Sequence, residues 1–309
     1  MKTSLNKLSL LIMTCLLAAC SADEPETDLA THEADVQQWR VERLASLKQP
    51  DGFLTLVGLH WLTEEVSSIG SAEDNDVLLP GKAAPHVGRV LLTDAGVLLE
   101  TEPDIDVRYE GVPVRSILMS DDTTEAPVLV THGSLAWAVV NRDGRYAIRV
   151  RDYEHPAIEA FPPIEYFPID PAMRVTATLH RFDEPKILKV GTVIVGLDYR
   201  PTSPGTVSFD IDGETYELEA YAAGDSLFFI FGDRTTGRET YPAGRFLYAA
   251  VPGADGKTIL DFNKAYNPPC AFNEFATCPV ASPANRMTAR IDAGEKFDPE
   301  IHATPNGTH

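Results

Sequence analysis

The sequence is poor in positive charge. Its 309 residues include 26 lysines and arginines against 46 aspartates and glutamates, and the formal net charge is −20. A surface of this sign repels nucleic acid and anionic lipid headgroups, so we expect no nucleic-acid partner. A locally basic pocket within such a surface would be more informative than the total charge.

Common catalytic motifs are also lacking. After residue 19 the chain contains no GxSxG, HExxH, SxxK or GxxxxGKS pattern, the local signatures of several hydrolase and nucleotide-binding classes. A Ser–His–Asp triad stays open, because its members need not be close in sequence. No two histidines have the spacing of a helical metal site, so we predict neither a metal nor a cofactor. The histidines are His32, His60, His86, His132, His155, His180, His302 and His309.

The first twenty residues carry an export pattern. Lys2 and Lys7 precede the apolar run Leu8–Leu17, whose roughly ten residues are too few to span a bilayer and are typical of a secretory signal. Ala18-Ala19 then stands directly before Cys20. The segment resembles a bacterial lipoprotein signal, which implies cleavage before Cys20 and lipidation of its thiol. An ordinary secretory signal is the alternative.

This resemblance predicts where the protein works. Residues 1–19 form the signal peptide and residues 20–33 an acidic, flexible tether. The membrane is then a partner through the lipid on Cys20. Ser21, which is not an aspartate, implies outer-membrane sorting facing the periplasm if the host has two membranes.

Cysteine is scarce. Of four cysteines, Cys15 leaves with the signal and Cys20 carries the lipid, so Cys270 and Cys278 remain. An oxidising compartment favours a disulfide between them. Zinc would need further ligands, which no nearby CxxC or HxxxH supplies.

The remaining chain predicts a mainly β fold. One amphipathic helix, residues 34–47, has its apolar stripe at Val36, Trp39, Leu44 and Leu47 and ends before Pro50-Asp51-Gly52. From Phe53 onward, short β-rich runs alternate with turns, and 23 prolines and 21 glycines argue against long helices. We predict a small β-sandwich unit with the helix over residues 34–125, and a larger antiparallel sandwich or barrel over 126–300. Representative predicted features are a strand at Ile187–Leu197 and hairpin turns at Asp143-Gly144 and Asp212-Gly213.

The first unit resembles a forkhead-associated β-sandwich in the order of its glycines, prolines and His86. That family reads phosphothreonine with an arginine, a serine and an asparagine. Here the matching positions hold Ser71, Ala84 or Pro85, and Glu110. The resemblance therefore implies a shape and not phosphopeptide binding, and His86 is expected to be structural.

The C-terminal part contains the most unusual blocks. They resemble the bacterial and archaeal domain of unknown function 1684 family, with the likeness extending from Trp39 and the Gly58–Leu62 segment to Glu295. The resemblance implies no established activity. The blocks are Phe231-Gly232-Asp233-Arg234-Thr235-Thr236-Gly237, Glu239 to Phe246, Leu260 to Phe272, Ala276 to Pro279, Pro283 to Arg286, and Ala293 to Lys296.

Three hypotheses follow for these blocks. The first is binding of a small polar or carbohydrate-like ligand, or of a partner protein, by Arg245, Asn263, Tyr266, Asn267 and Arg286. The second is an envelope hydrolase that uses two of Asp233, Asp261 and Glu295 with an arginine clamp. The third is a scaffold that meets a partner through the first sandwich. The same polar groups could instead serve only as turn caps and structural ion pairs.

Overall fold

The structure, a computed structural model, describes residues 29–299. It is mainly β, as predicted, with one N-terminal helix and two β units. The predicted signal, Cys20, most of the tether and residues 300–309 lie outside the described residues. Within residues 29–299 no helix has the length and apolarity to cross a bilayer.

Helix α1 spans Leu29–Leu47. It begins five residues before the predicted start, so residues 29–33 of the predicted tether are helical. Its buried positions are His32, Val36 and Leu47, which recur with the period of a helix face. The polar His32 therefore shares the buried face with Val36 and Leu47, which the pattern of apolar residues alone does not predict.

The first β unit is a two-sheet sandwich. One sheet has the order β1-β11-β10-β9-β6-β7, and the other β3-β2-β4-β5-β8. Trp137, fully buried, packs in the core between them. The strands are β1 Leu56–Trp61, β2 Val66–Gly70, β3 Val77–Leu78, β4 Gly88–Thr93, β5 Gly96–Thr101, β6 Arg108–Tyr109, β7 Val112–Pro113, β8 Ser116–Met119, β9 Leu129–His132, β10 Leu135–Arg142 and β11 Arg145–Asp152.

The predicted boundary between residues 125 and 126 falls inside this sandwich. Strands β9 to β11 follow that point, yet they pair with β1 and β6 and contribute to the same core. The polar run that suggested a linker is a turn, in which Asp121 accepts hydrogen bonds from Thr123 and Asp122 pairs with Arg142. The first unit therefore continues to Asp152.

The second unit is a six-stranded antiparallel sheet of order β18-β17-β16-β15-β12-β19. The edge strands β18 and β19 lie against each other, so the sheet is nearly closed into a barrel around an apolar core. A separate two-stranded sheet pairs β13 with β14. The elements of the unit are α2 Ala157–Ala160, β12 Arg174–Ile187, β13 Val190–Gly191, β14 Asp198–Tyr199, β15 Thr202–Ile211, β16 Glu214–Ala223, β17 Ser226–Phe231, β18 Arg245–Ala250 and β19 Lys257–Asp261.

Candidate functional site

Arg245 and Asp233 form a fully buried ion pair. Arg245 Nη2 donates to Asp233 Oδ1 at 3.4 Å and to the carbonyl of Ile291 at 3.1 Å, while Nη1 donates to the carbonyl of Ala293. Asp233 also accepts from the Ile291 amide at 2.8 Å and from the Thr235 hydroxyl. Burial lowers the pKa of Arg245, and Asp233 opposes that shift. The pair holds the C-terminal segment to β18.

Asp261 and Asn263 form a second closed cluster. Oδ2 of Asp261 lies 2.9 Å from Nε2 of His32 in α1, and its Oδ1 accepts from Asn263 Nδ2 at 3.0 Å. Asn263 in turn bonds both the amide and the carbonyl of Asp170, each at 2.8 Å. This cluster fixes the first turn of α1 to the end of β19.

Glu295 and Arg43 form the third cluster. Arg43 Nε donates to Glu295 Oε1 at 3.0 Å, and the Asn267 amide donates to Oε2 at 2.7 Å. Arg43 Nη2 also donates to the carbonyl of Asn267 at 2.9 Å. Burial raises the pKa of the Glu295 carboxyl, and Arg43 and the Asn267 amide oppose that shift. The Asn267 side chain donates to the carbonyl of Lys296.

Each of the three candidate carboxylates thus has its own side-chain partner and lies in its own network. Asp233 pairs with Arg245, Asp261 with His32 and Glu295 with Arg43. Arg286 is exposed, beside Gly232, and belongs to none of these networks. The three carboxylates support the fold at separate points and do not line one cleft.

A cleft of about 450 Å³ lies between α1 and the outside of the barrel. Strands β17 and β18 contribute aromatic residues to its floor, and α1 supplies one wall with both charged and polar groups. The lining residues are Trp39, Glu42, Arg43, Ser46, Phe53, Phe228, Phe246, Tyr248, Tyr266 and Pro269.

The aromatic side chains of this cleft form a continuous platform. Tyr248 lies 4.9 Å from Phe228, centroid to centroid, and is parallel within 11° to Tyr266 at 6.3 Å. Phe246 meets Phe228 edge to face at 4.9 Å. The Arg43 guanidinium covers Tyr266 at 4.5 Å. Burial, followed by the effect of Tyr248, raises the pKa of the Tyr266 hydroxyl, so that the group stays neutral.

Of the predicted site residues, Tyr266 alone lines this cleft. Asn267 and Glu295 lie behind it, linked to it through Arg43. Glu42, Arg43 and Tyr248 were not predicted as site residues. The sequence nevertheless contained a signal for a covered surface on β17. Residues 227–231 include no polar residue, and such a run indicates a strand that is covered on both faces.

Cys270 and Cys278 lie at disulfide distance, with Cα atoms 6.1 Å apart. They close a loop that begins next to Pro269 of the cleft. The Tyr241 hydroxyl donates to the carbonyl of Cys270 at 3.2 Å. The pair therefore borders the aromatic platform.

The comparisons with known proteins agree with the likeness of the C-terminal blocks. A family model described as "Protein of unknown function (DUF1684)" matches residues 159–296. A solution NMR structure of an uncharacterized protein of Haloarcula marismortui is 33% identical to the chain. That similarity covers 45% of this chain and 79% of the other, with a TM-score of 0.39.

Residues 159–296 belong to the DUF1684 family. The matched residues coincide with the second β unit, and the first sandwich lies outside them. No curated protein matches the chain. Within residues 29–299, no group of three or more His, Cys, Asp or Glu side chains could hold a metal ion.

Proposed function

We propose that this DUF1684 protein binds a small carbohydrate-like ligand in the cleft between α1 and the barrel. The observation that supports this is Tyr248, whose half-exposed ring presents a flat apolar face at the floor of the cleft, against Phe228 and parallel to Tyr266. Stacking on such faces suits the apolar side of a sugar ring. The cleft volume also falls within the range of small-molecule sites.

The polar rim of the cleft supports the same class of ligand. Glu42 and Ser46 are exposed on α1 and face the platform, so they can accept or share hydrogen bonds with hydroxyl groups. Arg43 is held rigidly by Glu295 and Asn267, and a preorganised wall lowers the entropic cost of binding.

Binding is favoured over hydrolysis at this cleft. Glycoside hydrolysis ordinarily uses two carboxyl groups that flank the scissile bond. Among the described residues that line the cleft, Glu42 is the one carboxylate. Asp233, Asp261 and Glu295 are bonded elsewhere to Arg245, His32 and Arg43.

We further propose that the protein is exported, lipidated at Cys20 and held at the cell envelope, with Cys270 and Cys278 oxidised. The signal pattern of residues 1–20 supports the anchor. Fractionation of cells that express the full chain tests it: Cys20→Ala is expected to move the protein from the membrane to the soluble fraction. Retention of the variant in the membrane fraction would contradict lipidation at this residue.

A thermal-shift screen of the full chain tests the binding proposal. N-acetylglucosamine oligomers and glucose oligomers serve as probes, with inorganic salts at matched ionic strength as blanks. A saccharide is expected to raise the melting temperature of the wild type and to raise that of Tyr248→Ala less at the same concentration. Shifts of equal size in both proteins would contradict the assignment to this cleft, as would the absence of any saccharide shift.

A further inference from the structure

Arginines are concentrated on the outer face of the first sandwich. In β11, residues 145, 147, 149 and 151 point away from the core, because Ile148 and Val150 point into it. Arg149 pairs in register with Leu59 of β1 and Ala138 of β10, and residues paired in this way share one face. This face lies toward the second unit.

Arg149 differs from its neighbours in lacking an acceptor. Its Nε is buried without a hydrogen-bond partner, and within residues 29–299 its guanidinium makes no ion pair. Arg142, in contrast, bonds both carboxylate oxygens of Asp122, at 2.9 and 2.7 Å. Arg151 donates to the Gly52 carbonyl at 2.6 Å and to the Thr55 hydroxyl at 2.7 Å. Arg142 and Arg151 therefore have acceptors, whereas the buried Nε of Arg149 has none.

The surroundings of Arg149 are electrostatically positive. Burial is the main reason that the pKa of Arg149 is lowered to about 10. The positive charges of Arg142 and Arg151 also lower this pKa, and the negative charge of Asp122 opposes them. The guanidinium is still charged at neutral pH. A half-buried charge without an acceptor is unfavourable, and an anion that supplied acceptor oxygens would relieve that cost.

Arg149 is partly exposed at the face of the sandwich that the second unit approaches. Its side chain is half-buried, and the residue across from it on β10 is the small Ala138. The loop at residues 273–277 of the second unit approaches this face. Asn273 donates to the carbonyl of Phe53 at 2.9 Å, and Arg142 donates to the Thr277 hydroxyl at 3.2 Å. Arg149 thus lies on the face of the sandwich that contacts the second unit on either side of it.

We propose that Arg149 is the base of an oxyanion-binding slot between the sandwich and the barrel, and that the slot takes a small carboxylate or phosphate. The planar guanidinium presents parallel donors that match the oxygens of either group. Neither Arg149 nor its neighbours Arg142 and Arg151 line the aromatic cleft. The slot would also be a local basic site on a chain of strongly negative net charge.

Thermal unfolding of the full chain in inorganic phosphate or acetate, at ionic strength held constant with chloride, tests the proposal. The variants are Arg149→Met, which removes the charge at similar volume, and Arg89→Met, which removes an exposed charge in the other sheet. Phosphate is expected to raise the melting temperature of the wild type and of Arg89→Met. A rise in melting temperature with phosphate alone would indicate a phosphoryl ligand. A rise with acetate as well would indicate a carboxylate ligand.

Arg149→Met is expected to weaken phosphate binding at least about tenfold, as loss of charge-assisted hydrogen bonds implies. Without anions it should melt no lower than the wild type, since the substitution removes an unpaired charge. Equal phosphate responses in Arg149→Met and the wild type would overturn the proposal. So would the lack of an anion response in the wild type, or destabilisation of the variant by the same amount with and without phosphate.

Arg149→Lys provides a second reading if the methionine variant does not fold. Lysine keeps the charge but lacks the planar donors, so we expect Arg149→Lys to fold and to bind phosphate more weakly than the wild type does. Unchanged phosphate affinity in Arg149→Lys would contradict recognition by the guanidinium.

Discussion

Arg43 Nε donates to Glu295 Oε1 at 3.0 Å, and this bond joins the helical wall of the cleft to the barrel. Glu295 is fully buried, and 12% of the Arg43 side chain is exposed. The same arginine covers the ring of Tyr266. One side chain therefore neutralises a buried carboxylate, fixes α1 and completes the aromatic platform.

Arg43→Met is expected to destabilise the protein by roughly 3 kcal/mol at pH 7, because it leaves the Glu295 carboxylate buried without its cation. Burial already raises the pKa of Glu295, and removal of Arg43 raises it further. The neutral acid is tolerated in the folded state, so stability of the variant is lost as pH rises through that pKa. Urea unfolding should show the deficit shrinking toward low pH. Arg290→Met, at an exposed pair, is the control, and an equal deficit there would contradict the account.

Asp152 in the first unit gives the opposite pH dependence. Burial alone would raise its pKa, but hydrogen bonds from Lys82 and Ser134 outweigh burial and lower it. Its contribution to stability is therefore present above its unfolded pKa and is lost as pH falls through the folded value. The stability difference between wild type and Asp152→Asn should narrow in acid. Asp94→Asn controls for the loss of one charge, and a difference for Asp152→Asn that is constant with pH would contradict the account.

Arg245→Ala is expected to cost about 3–5 kcal/mol, because Asp233 and two carbonyl groups lose a buried donor. Arg286→Ala, on the exposed surface beside Gly232, should leave the unfolding midpoint unchanged. Denaturant unfolding of both variants measures this contrast. A folded Arg245→Ala protein of wild-type stability that fails to bind saccharide would place Arg245 in the site instead.

Reduction of the Cys270–Cys278 pair is expected to lower stability by about 2–3 kcal/mol, the loop-closure value for so short a loop. Thermal unfolding with and without dithiothreitol measures the effect. The Cys270→Ser/Cys278→Ser protein should have the melting temperature of the reduced wild type, and dithiothreitol should not change it. Two thiols that react freely in the purified, unreduced protein would contradict the expectation.

The fold class could be predicted because its signals are local. Asp143-Gly144 and Asp212-Gly213 turn with positive φ at both residues, 54° and 80° in each case, as the predicted hairpins require. Local signals also produced a wrong strand prediction. The predicted strand at Ile187–Leu197 is interrupted, and Val195 within it is 97% exposed in a loop. β-branched composition describes a preference, and tertiary pairing decides whether a strand forms.

The candidate site could be predicted only in part because its residues are far apart in the chain. Tyr266 was found through its unusual block, whereas Glu42 and Arg43 lie more than two hundred residues earlier. The carboxylates at Asp233 and Asp261 looked catalytic because sequence shows residue type and not partners. Their partners, Arg245 and His32, became visible only in the folded chain.

The most direct test of the cleft compares Tyr248→Ala with Tyr216→Ala in calorimetric titrations of the full chain with N-acetylglucosamine oligomers. Tyr248 is half-exposed in the cleft, and Tyr216 lies on β16 outside it. We expect the wild type and Tyr216→Ala to bind alike, and Tyr248→Ala to bind about tenfold more weakly because it loses the stacking contact. Equal affinities in all three proteins, or no binding to the wild type, would contradict this expectation.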